Sequence, residues 1–152
     1  MRRRTFLAGA LALCALAGCS PSPVNEAPAS PAAKGFPFTL TDTGGRRVEI
    51  PAPPQRIVCL SPAHTETLFA LGVGDRVVAA DTYSDYPPEV RSRATINCWP
   101  RIPLEEVVAL RPDLVLVLTQ EGEELKRLEA AGVRAAQLFP KTLAETLDCI
   151  RL

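Results

Sequence analysis

From residue 37 onward, short apolar runs alternate with longer segments in which apolar positions recur at helical spacing. Four of the runs predict strands of a parallel sheet, and the run at residues 113–119 is so apolar that both of its faces would have to be covered. The four runs span residues 56–60, 76–81, 113–119 and 133–139. Helices are predicted between and after them, over residues 62–71, 103–111 and 121–131 and from Thr142 onward.

This order of elements predicts the fold class. Strands that alternate with helices indicate an α/β fold, here a Rossmann-like parallel sheet with right-handed crossovers and helices on its faces. Ahead of the first buried run, residues 38–42 and 47–50 flank a Thr-Gly-Gly segment and predict a β-hairpin. We therefore expect a hairpin followed by one α/β lobe.

Individual residue types mark where helices begin and end. Ser61 followed by Pro62 is typical of a helix start, since the serine oxygen accepts a backbone N–H and proline fits the first helical position. Gly72 is the expected stop of that helix. Thr142, with Glu145 three residues later, predicts a capping box at the start of the last helix.

Residues 82–102 form the longest stretch without a predicted element. The stretch follows a strand and so leaves the carboxyl edge of the sheet, where open α/β sheets bind ligands. Long loops of this kind often carry function. Tyr83, Tyr86 and Trp99 offer apolar faces with polar tips, which suit a large planar or partly apolar ligand. Tyr86, beside two prolines, is equally consistent with packing of the loop onto the sheet.

The first 36 residues carry a different pattern. Residues 1–18 combine three arginines with an apolar run too short to span a bilayer, which is typical of an export signal. The sequence Leu-Ala-Gly-Cys that ends at Cys19 resembles a bacterial lipobox, which predicts a lipid on Cys19. Residues 19–36 are rich in Ser, Pro and Ala and predict a flexible linker. We expect an exported protein anchored by lipid in the cell envelope, with Sec and twin-arginine export both open.

Charge and motif content exclude several function classes. The 17 basic and 17 acidic residues balance, so nothing favours nucleic-acid binding. Neither a GxGxxG nor a Walker motif follows a strand, which argues against nucleotide binding. His64 is the single histidine, so a metal site with several imidazoles cannot be built, and no metal or cofactor is predicted. A hydrolase that used Ser61 and His64 ranks last, because Ser61 is better explained as a helix cap; we expect no enzyme.

Three cysteines follow Cys19 in the chain. Cys59 lies in an apolar run and is expected to be a buried small hydrophobe. A disulfide between Cys98 and Cys149 is chemically possible in an oxidising envelope, and the spacing decides neither for nor against it. The spacings match no zinc pattern.

Several segments, in order, resemble one transport family. They are TDTGGRRVEIP, QRIVCLSPAHTETLFALGVGDRVVA, YSDYPP and LEEVVALRPDLVLV, and together they cover residues 38–152 almost continuously. The chain resembles the ABC-importer binding proteins for corrinoids, ferric siderophores and haem, and most of all the cobalamin-binding members. The resemblance implies two Rossmann-like lobes joined by a long helix, with the ligand between them. Residues 37–141 would be the N-terminal lobe and residues 142–152 the start of the truncated joining helix.

The resemblance also implies roles for particular residues. Tyr83 and Trp99 would pack against the corrin, and Glu105 would pair with arginines of the membrane permease. The remaining contacts to the ligand would come from Pro62, Ala63, His64 and Tyr86. His64 stands where the pattern SPANTE has asparagine, so a different side chain faces the ligand at this position.

Other functions stay open at this point. A haem or ferric-siderophore receptor of the same fold is the nearest alternative, although Arg101 is the only basic residue near Trp99 in the sequence, which favours the corrinoid. A lobe without its second half would lack half of the ligand contacts, and binding would be weak. A protein-interaction lipoprotein, or a remnant without function, is the alternative from another class.

Overall fold

The computed structural model describes residues 35–119 and 122–151. The predicted signal segment, the lipid site at Cys19 and nearly all of the predicted linker lie outside these residues, and they stay predictions. Among the helices of the described residues, none is long and apolar enough to cross a membrane.

The predicted hairpin forms at the start of the described chain. Strands β1 (Phe38–Thr41) and β2 (Arg47–Ile50) pair antiparallel, with Phe38 opposite Ile50 and Thr41 opposite Arg47. The turn places Gly45 at a φ of 78°, a conformation that glycine adopts without strain. Leu40, Val48 and Ile50 are buried, so one face of the hairpin packs against the rest of the domain.

Five parallel strands form the main sheet. They are β3 (Ile57–Leu60), β4 (Val77–Asp81), β5 (Ala94–Ile96), β6 (Leu114–Val117) and β7 (Ala135–Gln137), in the spatial order β5-β4-β3-β6-β7. The chain builds outward from β3 to β5, then crosses to β6 and builds in the opposite direction to β7. The boundary between β3 and β6 is therefore the topological switch point, where open α/β sheets leave a crevice for ligands. The predicted α/β fold is confirmed.

Strand β5 is the element that sequence reasoning missed. The stretch of residues 82–102 contains a 3-10 helix (Pro88–Ser92) followed by β5 at the sheet edge. Of the three residues in β5 only Ile96 is buried. So short and exposed a strand has no apolar run to reveal it.

Four α-helices connect or follow the strands: α1 (Pro62–Ala70), α2 (Leu104–Ala109), α3 (Gly122–Ala130) and α4 (Leu143–Arg151). The backbone N–H of His64 donates to Ser61 Oγ at 3.3 Å, which confirms Ser61 as the N-cap of α1. Gly72, at a φ of 75°, follows the end of that helix as expected.

The predicted capping box at α4 forms only in part. The backbone N–H of Glu145 donates to Thr142 Oγ1 at 3.2 Å, as a capping threonine requires. The carboxylate of Glu145, however, accepts from the backbone N–H of Lys141 at 2.6 Å, one residue before the expected partner. The glutamate still satisfies a donor at the helix start, but it reaches past the cap residue.

The sheet buries two separate apolar clusters, one on each face. On the first, here called the crossover face, Val107 of α2 and Leu125 and Leu128 of α3 cover alternate residues of the strands. On the second, here called the hairpin face, the hairpin and α1 cover the other alternate residues, and Cys149 of α4 packs at the margin. A fully covered parallel sheet requires apolar residues at successive positions, which explains the continuous runs in the sequence.

Candidate functional site

The carboxyl edge of the sheet collects the loops that follow the five strands. Helices α1 and α3 begin directly after β3 and β6. Helix α2 connects the end of β5 to the start of β6. All three helices therefore begin at the carboxyl edge. Helix N-termini carry partial positive charge, and the crevice at the switch point opens among them. This edge is the candidate binding surface.

Three large aromatic side chains are exposed in the loops at this edge. Tyr83, Tyr86 and Trp99 are 68%, 62% and 75% exposed. Aromatic rings normally bury most of their area, so three exposed rings in one loop region make this edge a candidate binding surface. Tyr83 follows β4 by two residues and Trp99 follows the neighbouring β5 by three, so the two leave adjacent strands on the same edge.

Backbone hydrogen bonds hold the Tyr83 segment to the sheet. The buried carboxylate of Asp81 accepts from the backbone N–H of Tyr83 at 3.1 Å. The backbone N–H of Thr82 donates to the carbonyl of Ile96 at 2.9 Å and extends the β4–β5 pairing by one residue. The hydroxyls of Ser84 and Thr65 lie 3.1 Å apart, which ties the same loop to α1. The exposed ring of Tyr83 therefore projects from a rigid base.

The Trp99 segment is anchored in the same way. The backbone N–H of Trp99 donates to the side-chain oxygen of Asn97 at 3.2 Å. The neighbouring Cys98 turns inward, where its thiol contacts the carbonyl of Ile96 at 3.7 Å. Burial, followed by the negative charge of Asp81, raises the pKa of Cys98 to about 12. Cys98 therefore stays a neutral thiol beneath the loop while Trp99 faces outward.

A recess of about 510 Å³ lies beside Trp99 at the switch point, here called the tryptophan recess. Its floor comes from the ends of β3 and β6, and its walls from the Trp99 loop and the first turns of α3. The lining residues include Leu60, Trp99, Arg101, Leu118, Glu124 and Arg127. Sequence reasoning did not single out Glu124 and Arg127, because they join this site only once α3 packs beside the Trp99 loop.

Tyr86 lines a different recess from Trp99. Together with Glu66, Phe69 and Glu89 it borders a groove of about 650 Å³ between α1 and the 3-10 helix. Tyr86 and Trp99 therefore flank the exposed loop on two sides.

Pro62, Ala63 and His64 occupy the first turn of α1, beside the switch point. Ala63 and His64 line a third recess, an apolar groove of about 580 Å³ on the hairpin face, and not the tryptophan recess. The side chain of His64 is only 8% exposed, and its Nε2 lies 2.9 Å from the carbonyl of Leu138. Its Nδ1 is buried with no hydrogen-bond partner among the described residues. The imidazole is therefore directed into the protein interior and borders the apolar groove on the hairpin face.

The environment of His64 favours the neutral imidazole. Burial lowers its pKa below the usual value of 6.5, and the nearby carbonyls of Leu138 and Leu116 oppose that effect only in part. A Nε2–H that donates to Leu138 leaves Nδ1 as an unprotonated acceptor. The hydroxyl of Ser61 accepts a hydrogen bond from the backbone N–H of His64, and the imidazole ring takes no part in that contact. The hydroxyl of Ser61 is therefore not hydrogen-bonded to the ring of His64.

Glu105 lies in the first turn of α2, exposed to solvent. It forms no ion pair with any described residue. Because α2 begins at the carboxyl edge, Glu105 shares that side of the domain with Tyr83 and Trp99. Its charge is therefore available to a partner that approaches this edge.

The three described cysteines are free thiols. Cys98 packs against the cluster of the crossover face and Cys149 against that of the hairpin face. Because the sheet lies between them, the two do not pair in this fold. Cys59 is fully buried in β3, as expected, and burial raises its pKa to about 12. Within residues 35–119 and 122–151, no three His, Cys, Asp or Glu side chains converge as metal ligands.

Comparison with known proteins gives one family. Residues 57–136, from β3 to β7, match the family described as periplasmic binding protein. The chain is 35% identical over 140 residues to the uncharacterised ABC transporter substrate-binding lipoprotein YvrC of Bacillus subtilis, a match that covers 88% of this chain and 44% of that protein. Since the family match covers more than half of the chain, the chain belongs to the periplasmic binding protein family.

Two solved structures extend the comparison. The periplasmic vitamin B12 binding protein BtuF of Vibrio cholerae is similar at a TM-score of 0.58 and 35% identity, over 63% of this chain and 38% of that one. A periplasmic haem binding protein from Pseudomonas aeruginosa is similar at a TM-score of 0.58 and 32% identity, over 64% of this chain and 36% of that one. The chain thus spans less than half the length of each of these three relatives.

Proposed function

We propose that the chain binds a corrinoid, with cobalamin as the reference ligand, and delivers it to the permease of an ABC importer. The observation that carries the proposal is the set of exposed rings, Tyr83, Tyr86 and Trp99, on a rigid carboxyl edge next to the switch point. A corrin macrocycle is broad, flat and largely apolar on its faces. Aromatic side chains provide a large contact area for such a ligand at little cost in side-chain entropy.

The charge around the tryptophan recess supports a ligand without a large negative charge. Arg127 is paired with Glu124 at 2.8 Å, so its charge is already neutralised. Arg101 is the remaining basic residue in the lining. An anionic ferric siderophore would need several free cations, as complementary charge steers and holds such ligands. A corrinoid whose rim carries neutral carboxamides needs none.

Trp99 supplies the readout for a direct test. It is the only tryptophan of the chain, and its ring is exposed where the ligand is expected. We expect cyanocobalamin to quench Trp99 fluorescence in the purified chain, after correction for light absorption with free N-acetyltryptophanamide. One lobe contacts only one side of a ligand, so the dissociation constant is expected in the range of about 10 µM or weaker. Absence of saturable quenching by cyanocobalamin, with clear saturation by haemin, would overturn the corrinoid assignment.

Haem is the second candidate, favoured by the exposed phenols of Tyr83 and Tyr86. Tyrosine is an established axial ligand of haem iron, whereas the nitrogens of His64 are buried or hydrogen-bonded. If haem is the ligand, haemin should give a shifted Soret band that is lost in Tyr83→Phe or Tyr86→Phe. A corrinoid site would keep most of its affinity in both variants, because phenylalanine retains the aromatic face.

The partner contacts and the anchor belong to the same proposal. Exposed and unpaired, Glu105 is suited to pair with an arginine on the permease, and Glu105→Gln should reduce uptake without changing quenching of Trp99. Cys19 would carry the lipid, which mass spectrometry of the membrane fraction would detect as an acylated N-terminal peptide. A chain that bound neither cyanocobalamin nor haemin would instead favour the protein-interaction lipoprotein or remnant.

A further inference from the structure

We propose that the ion pair between Glu124 and Arg127 makes the tryptophan recess selective for carboxamide groups over carboxylate groups on the rim of the ligand. The proposal rests on the proposed corrinoid function and identifies the side chains that discriminate within that site. Neither residue was a candidate from the sequence pattern.

The pair is held firmly at the wall of the recess. Arg127 Nη1 donates to both carboxylate oxygens of Glu124, at 3.0 and 2.8 Å. The two residues stand three positions apart on α3, and the helix is fixed from below by Leu125 and Leu128, which are fully buried. The side chains of Glu124 and Arg127 are themselves partly buried, so solvent screens their interaction less than it would screen a surface pair.

The paired side chains still offer a ligand both hydrogen-bond donors and hydrogen-bond acceptors. Only Nη1 of Arg127 is engaged with a described residue, so Nη2 and Nε keep N–H groups that can donate. Each carboxylate oxygen of Glu124 has a further lone pair that can accept. A carboxamide presents one acceptor oxygen and one NH₂ donor, and it can use both sides of the pair at once.

A carboxylate on the ligand meets the opposite situation. It has no donor for Glu124, and at the free N–H groups of Arg127 it would lie beside the negative charge of the Glu124 carboxylate. It would also lie close to the unpaired Glu123, which lines the same recess. Like charges brought together in a partly desolvated site are unfavourable, so the wall rejects the anion by repulsion while it accepts the neutral amide.

Arg101 is the one other basic residue in the lining, on the Trp99 side of the recess. Its charge is balanced by that of Glu123, so the lining as a whole offers an anion no excess of positive charge. The discriminating group is therefore Glu124, whose charge determines whether Arg127 is free to receive an anion.

Two corrins that differ only at their rim provide the probes. Dicyanocobinamide carries carboxamides, and dicyanocobyrinic acid carries carboxylates on the same ring. Quenching of Trp99 in the full chain gives the affinity for each, and the quantity compared is the ratio of the two affinities. For the wild-type chain we expect the carboxamide to be favoured about tenfold or more, the discrimination that one charge-assisted contact provides.

The informative variant is Glu124→Gln, which removes the negative charge and frees Arg127. We expect the preference for the carboxamide to fall about tenfold, mainly because the carboxylate corrin binds more tightly. The double variant Glu124→Gln/Arg127→Gln removes the cation that Glu124→Gln frees and leaves Arg101 as in the wild type, so its ratio should return to within about twofold of the wild-type value. The matched control is Glu106→Gln, an equal charge change at an exposed position of α2 outside the recess, with a ratio within about twofold of wild type.

Each outcome bears on the proposal. Equal shifts in Glu124→Gln and Glu106→Gln would assign the effect to overall charge and overturn the role of the pair. An unchanged ratio in Glu124→Gln, with dicyanocobinamide still bound and the variant folded by circular dichroism, would also overturn it. If the wild-type chain bound neither corrin, the proposed function would fail first, and the selectivity with it.

Discussion

The carboxylate of Asp42 lies 2.9 Å from Nη2 of Arg46, and the aspartate side chain is completely shielded from solvent. The same carboxylate accepts from the backbone N–H groups of Gly44, Arg46 and Gln137. Arg46 in turn forms an ion pair with Glu129 of α3. One buried aspartate thus closes the hairpin turn and fastens it to the edge strand β7.

Replacement of Asp42 tests this fastening. Asp42→Ala takes the acceptor away from five N–H groups, and we expect the free energy of unfolding to fall by about 3–5 kcal/mol. Urea denaturation followed by circular dichroism measures the change. Asp75→Ala is the control, since Asp75 pairs with Arg93 at 3.3 Å but its own side chain is fully exposed, and little or no loss of stability is expected. Equal losses in the two variants would contradict the role of the buried carboxylate.

Gly74 marks a close approach between the end of α1 and the start of β4. A Cβ at this position would lie 2.4 Å from Cδ1 of Phe69, and an aromatic ring packed against the core cannot move aside easily. Gly74→Ala should therefore lower the free energy of unfolding by about 1–3 kcal/mol. In Gly122→Ala the added methyl group meets nothing within 4 Å, and the higher helix propensity of alanine should leave stability unchanged or slightly raised. Comparable destabilisation of both variants in thermal melts would argue against the steric explanation.

The buried imidazole of His64 predicts a loss of stability in mild acid. Its pKa in the folded state lies below 6.5, so the unfolded chain binds a proton first as the pH falls. The contribution of the neutral ring is complete above about pH 6.5, and stability then declines toward the lower folded pKa by at most about 1.4 kcal/mol per pH unit. His64→Asn should remove this dependence. Urea midpoints at pH 7.5 and pH 5.5 for both chains provide the measurement, and parallel declines would assign the effect to other groups.

Local sequence predicted most of the scaffold, for a physical reason. Strands β3 and β6 are covered on both faces, so nearly every residue in them is apolar and the runs stand out. The start of α1 depends on Ser61 and Pro62, whose effects act within one helical turn. The exposed rings at Tyr83 and Trp99 could also be anticipated, because aromatic residues in a long loop at a strand end have few partners nearby.

Features that depend on contacts distant in sequence could not be predicted in this way. Strand β5 forms because β4 offers it a partner, not because its own three residues form a strand pattern. The ring of His64 turns inward because its Nε2 forms a hydrogen bond with the carbonyl of Leu138, 74 positions later in the chain. Likewise, Cys98 and Cys149 cannot pair because they pack on opposite faces of the sheet, a fact that their spacing in the sequence does not reveal.

By itself, the sequence determined the α/β class, the order of its main elements and the aromatic loop at the carboxyl edge. Each of these depends on residue type and short-range periodicity. The tertiary structure alone decided that α3 lies beside the Trp99 loop, and so brought the Glu124–Arg127 pair to the wall of the recess. Helix packing brings together side chains whose sequence separation carries no signal, and the chemistry of the site depends on those contacts.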